Sequence, residues 1–97
     1  MAVSATSHSD TFSTAPQISP QDLAQIAAMG FKTVINNRPD AEGGAEQPTS
    51  AQIQAAAAQA GLVYAQLPVI SGQITEAQAR QFAELLATCP KPVLAFC

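Results

Sequence analysis

Three times in this chain a capped helical period is followed by an apolar run too short for another helix, and that alternation restricts the fold more than any other feature. Ser19-Pro20 opens the first helical stretch, with Ser19 at the N-cap, Pro20 at the first helical position and Asp22 in the first turn. Leu23, Ile26 and Ala27 make its apolar stripe, and Gly30 ends it. Phe31 to Asn36 follows, where the adjacent β-branched Val34 and Ile35 predict a strand buried on both faces. Thr49 opens the second helix, with Gln52 in capping-box spacing, an apolar face of Ile53, Ala56, Ala57 and Ala60, and Gly61 as its stop. Leu62 to Leu67 is the next strand, closed by Pro68. Thr75 and Gln78 repeat the capping box, and Ala79, Phe82, Ala83 and Leu86 fall at helical spacing. Pro90 and Pro92 bracket the exit, and Val93 to Phe96 forms the last strand, with Cys97 at its tip.

Strands alternating with helices through short connections predict an α/β domain with a mainly parallel central sheet, right-handed crossovers and helices on its faces. Thr11 to Thr14 adds a short edge strand ahead of the first helix, and residues 1–10 read as a disordered polar tail. One domain, residues 11–97, is all that 97 residues allow. Aromatics are only 5% of the chain, so Ala, Leu, Ile and Val must fill the core.

The charge balance excludes several function classes. The net charge is −3 and the four basic residues, Lys32, Arg38, Arg80 and Lys91, are scattered, which argues against nucleic acid and against an electrostatic membrane anchor. No apolar run approaches the roughly 18 residues of a membrane span, and the N-terminus lacks the pattern of a secretory signal. A cytoplasmic location is expected, with Cys89 and Cys97 as reduced thiols. Their spacing does not suit a zinc site, the lone histidine, His8, lies in the tail, and neither a dinucleotide nor a Walker pattern is present.

In parallel sheets, sites form beyond the carboxyl ends of the strands. Here those ends are Asn36–Asp40, Pro68–Gly72 and Cys97. A thiol at the end of a buried strand becomes a nucleophile when main-chain N–H groups and a helix N-terminus lower its pKa; without them it is an inert buried cysteine. Arg38 is suited to hold a phosphate and Asp40 to act as a general acid, while both also fit a capped turn around Pro39. The Leu67–Gly72 segment offers only Ser71 and main chain, which suits a plain connection.

Phe12-Ser13-Thr14-Ala15-Pro16-Gln17-Ile18, Thr33-Val34-Ile35-Asn36-Asn37-Arg38-Pro39-Asp40, Leu67-Pro68-Val69 and Lys91-Pro92-Val93-Leu94-Ala95-Phe96-Cys97 together resemble the beta-lactamase-hydrolase-like phosphatase family. The resemblance covers nearly the whole chain from about Thr11. It implies a phosphotyrosine-phosphatase-like fold of the dual-specificity type and a cysteine-dependent phosphatase that needs no metal or organic cofactor. Cys97 matches the family nucleophile, which opens a Cys-x5-Arg loop leading into a helix. The resemblance also implies a phosphorylated substrate. Family members occur beside sulfur-metabolising enzymes of the metallo-beta-lactamase fold, so a sulfur-bearing substrate and sulfurtransfer at the same thiol form the rival expectation. A non-catalytic binding module is the third.

This sequence stops at the matched nucleophile. The expectation is therefore a truncated domain without its C-terminal helices, inactive by itself, with the sheet uncovered on one face.

Overall fold

The structure is a computed structural model and describes residues 5–37, 49–68 and 75–96. In chain order its elements are β1 (Thr6–Ser9), β2 (Phe12–Ala15), α1 (Asp22–Ala28), β3 (Thr33–Asn36), α2 (Ser50–Gln59), β4 (Val63–Gln66), α3 (Glu76–Thr88) and β5 (Val93–Phe96). They form a five-stranded sheet in the order β1-β2-β5-β3-β4. β1 is antiparallel to β2, and every other pairing is parallel. The expected mixed α/β fold with a mainly parallel sheet flanked by helices is the observed one.

Alternation along the central strands explains the two layers of core. Val34, Leu94 and Phe96 face one side, where they pack with Leu23 and Ile26 of α1 and Ile53 and Ala57 of α2. Ile35, Val93 and Ala95 face the other, against Phe82, Leu85 and Leu86 of α3. β3 and β5 are buried along their whole length, as strands sandwiched between helices must be. The face expected to be bare is covered over its central strands by α3, though less tightly than α1 and α2 cover the other. α1 and α2 each contribute fully buried side chains, whereas no residue of α3 is buried.

The helix ends follow local chemistry. Thr49 and Gln52 close a full capping box on α2, and Thr75 and Gln78 do the same on α3. Gly30 and Gly61 follow α1 and α2 at φ +99° and +79°, a conformation that favours glycine.

Four further expectations need correction. Residues 6–9 are strand β1 rather than part of a tail, because their main chain finds partners on β2; side-chain patterning gave no sign of it, since all four residues are polar and exposed. β2 is therefore an inner strand and not an edge. α1 begins at Asp22, after a tight turn in which the Asp22 carboxylate accepts from the Ser19 N–H (2.9 Å) and Ser19 hydroxyl (3.1 Å). Ser19 thus donates to Asp22 instead of capping the helix with its own oxygen. On α3 the inward stripe is Phe82, Leu85 and Leu86, while Ala79 and Ala83 are exposed, because the larger apolar side chains are the ones turned onto the sheet.

Candidate active site

The carboxyl ends of β3, β4 and β5 meet at one edge of the sheet. Asn36 lies in register with Phe96 on one side and Gln66 on the other. Just beyond it, the Asn37 N–H donates to the Phe96 carbonyl at 3.0 Å, and the Asn37 side-chain amide donates to the Leu67 carbonyl at 3.1 Å. The Leu67 N–H in turn donates to the Asn36 carbonyl at 2.9 Å. These bonds hold the three chain exits together at the edge where the parallel topology places a site.

Cys97, Arg38 and Asp40 lie outside the described residues, as do Val69–Gly72 with Ser71. Their immediate predecessors do not. Phe96, which precedes Cys97, is buried on the central strand, and Asn37, which precedes Arg38, is bonded to it. Each segment the sequence singled out thus leaves the described fold from this one edge.

The asparagines behave differently from the capped turn that the sequence also allowed. Asn36 is buried and its amide donates to the Tyr64 hydroxyl at 3.1 Å. Tyr64 also shares a short hydrogen bond with the Ser50 hydroxyl at the start of α2. Both asparagine side chains therefore bond across the fold. Tyr64 escaped sequence reasoning because a tyrosine in an apolar run reads as ordinary strand filler. The available sign was the polar Asn36 ending a run of otherwise buried strand residues.

The remaining chemical groups lie elsewhere. Cys89 is a free, half-buried thiol at the C-cap of α3, before β5 begins and so at the far end of that strand from Cys97. The exposed His8 bonds to the Thr14 hydroxyl at 2.7 Å and stacks on Phe12 in the β1–β2 hairpin. Among the described residues no three His, Cys, Asp or Glu side chains gather closely enough to hold a metal ion, and no helix is long and apolar enough to cross a membrane.

Comparison with known proteins gives the family and the fold. Residues 6–97 match the family described as beta-lactamase hydrolase-like protein, phosphatase-like domain. The chain is 42% identical over 76 residues to a beta-lactamase hydrolase-like protein of Agrobacterium fabrum, covering 78% of this chain and 17% of that protein. It therefore corresponds to about a sixth of that relative's length. Among solved structures, a protein from Neisseria meningitidis Z2491 designated a phosphatase is 37% identical, with a TM-score of 0.84 over 92% of this chain and 63% of the other. A variant of Pseudomonas aeruginosa TpbA in complex with phosphotyrosine has the same fold at 19% identity, with a TM-score of 0.63 over 97% of this chain and 52% of its own. The chain belongs to the phosphatase-like domain family of the beta-lactamase hydrolase-like proteins, and its fold is that of the protein tyrosine phosphatases.

Proposed function

We propose that this domain supplies the nucleophile and substrate-facing edge of a cysteine-dependent phosphatase of the dual-specificity type. The observation that carries the reading is the bond between Asn37 and Phe96, which joins the exits toward Arg38 and Cys97 at the carboxyl edge of a sheet with the protein tyrosine phosphatase fold. In this reading the Cys97 thiolate attacks phosphorus in line and the bond to the leaving oxygen breaks. Asp40 donates the proton that the leaving oxygen takes up. Water then cleaves the phosphocysteine, giving a proton back to the Asp40 carboxylate and releasing phosphate and the thiolate. Arg38 helps hold the phosphoryl oxygens, and the family's Cys-x5-Arg loop, which starts at the nucleophile, supplies the main-chain donors. The step uses no metal or organic cofactor. The substrate is a phosphomonoester, in keeping with the phosphotyrosine held by the TpbA variant. A reducing compartment such as the cytoplasm keeps the thiol competent.

The test is hydrolysis of p-nitrophenyl phosphate by a chain continued past Cys97 through the loop and the following helix, compared with its Cys97→Ser variant. Turnover by the parent and none by the variant is expected. Equal turnover in both removes Cys97 from the mechanism. Thiocyanate formation from thiosulfate and cyanide in excess of phosphate release would replace the phosphatase reading with sulfurtransfer.

A further inference from the structure

The connection 37–49 joins the end of β3 to the start of α2, and it carries Arg38 and Asp40. Asn36 is the last residue of β3 and Ser50 the first of α2. One hydroxyl touches both. Tyr64 accepts from the Asn36 side-chain amide at 3.1 Å and shares its short bond with Ser50. The ring behind that hydroxyl packs against the core formed by α1, α2 and the central strands, on a strand in register with β3.

A buried polar group is costly unless it is bonded, and an apolar trio would fill the same space without that requirement. Asn36 and Ser50 are 3% and 8% exposed, so this polar junction is built into the interior and is not a surface contact. It sits where the connection leaves and rejoins the fold. Its effect reaches further along the edge, because the next residue, Asn37, is bonded to Phe96, the neighbour of Cys97.

We propose that Tyr64 is a positioning residue: its hydroxyl ties Asn36 to Ser50, fixing both ends of the connection that carries Arg38 and Asp40 and the register of Asn37 against Phe96. The catalytic part of this proposal rests on the phosphatase reading. The tie between the two ends does not.

The experiment compares Tyr64→Phe with the parent in the chain continued past Cys97. The variant keeps the ring and its packing and loses only the hydroxyl. With p-nitrophenyl phosphate, kcat is expected to fall about tenfold with KM changed less than about twofold, since small displacements of catalytic groups cost rate more than binding. Amide exchange supplies the second readout. The Asn37 and Leu67 amides, which pair the β3 exit with β5 and β4, exchange faster in Tyr64→Phe, while the Leu94 amide in the central strand does not change. Unchanged kcat in Tyr64→Phe, or unchanged exchange at Asn37 and Leu67, overturns the proposal. A parent without Cys97-dependent turnover defeats the phosphatase reading instead, and the tie is then decided by amide exchange alone.

Discussion

The main-chain N–H of Asn37 donates to the carbonyl of Phe96 across 3.0 Å, so the chain leaving β3 is pinned to the last residue of β5. The Asn37 side chain adds a second tie, to the Leu67 carbonyl beyond β4. One residue thereby couples three strand exits, and everything proposed for the site depends on that edge being rigid.

Removing the side-chain tie tests this directly. Asn37→Ala is expected to destabilise the fold by about 0.5–1.5 kcal/mol, the usual net value of one hydrogen bond. For a domain of this size that corresponds to a fall in Tm of about 4–8 °C per kcal/mol. The main-chain bond to Phe96 survives the substitution, so amide exchange at Asn37 should change less than at residues near Leu67. A melting temperature equal to the parent's would show that the bond between Asn37 and Leu67 adds nothing to the edge.

The unequal covering of the sheet makes a contrast between two leucines. Leu94 is 0% exposed at the centre of the sheet, under α1 and α2. Leu94→Ala is expected to cost about 2–5 kcal/mol, enough to unfold much of a small domain. Leu86 on α3 is only half-buried, and Leu86→Ala should cost clearly less in the same denaturant titration. Equal losses at the two positions would mean that α3 seals its face as tightly as α1 and α2 seal theirs.

Because α3 buries no side chain completely, its local caps carry a larger share of its stability. The Thr75 hydroxyl accepts from the Gln78 N–H at 3.1 Å, and the Gln78 side chain accepts from the Thr75 N–H at 2.9 Å. Thr75→Ala should cost about 1 kcal/mol, whereas Thr75→Ser, which keeps the acceptor, should stay close to the parent. Thermal melts of both variants check this; indistinguishable melts would mean that the box is formed but idle.

These contrasts also show which parts of the molecule were legible in the sequence. Capping pairs and glycine stops are local chemistry, so α2 and α3 begin where Thr49 and Thr75 say they do. The doubly buried strands were legible too, since Val34-Ile35 and Val93–Phe96 allow little else. β1 was not, because Thr6–Ser9 carries no apolar pattern and exists through pairing with β2. The inward stripe of α3 departs from simple helical spacing at the exposed Ala79 and Ala83, because spacing alone does not weigh a methyl against a leucine. At the site, the carboxyl edge followed from topology, but Tyr64 did not. A hydroxyl that bridges Asn36 and Ser50 is a tertiary meeting of residues 14 and 28 positions apart in sequence, and no local pattern encodes it.

The assignment of Asp40 is tested through the leaving group. A general acid contributes about 10²–10⁴-fold when the departing oxygen needs a proton, and much less when it does not. In the chain continued past Cys97, Asp40→Asn should therefore slow an alkyl phosphate by about 10²-fold or more. The same variant should slow p-nitrophenyl phosphate far less, because nitrophenolate leaves readily as an anion. Arg38→Met should instead weaken both substrates together, since a residue that holds phosphoryl oxygens acts on the part they share. Equal losses on the two substrates in Asp40→Asn would remove the acid role from Asp40. Its place three residues after Asn37 would then serve the turn chemistry that the Asn-Asn-Arg-Pro-Asp segment also permits.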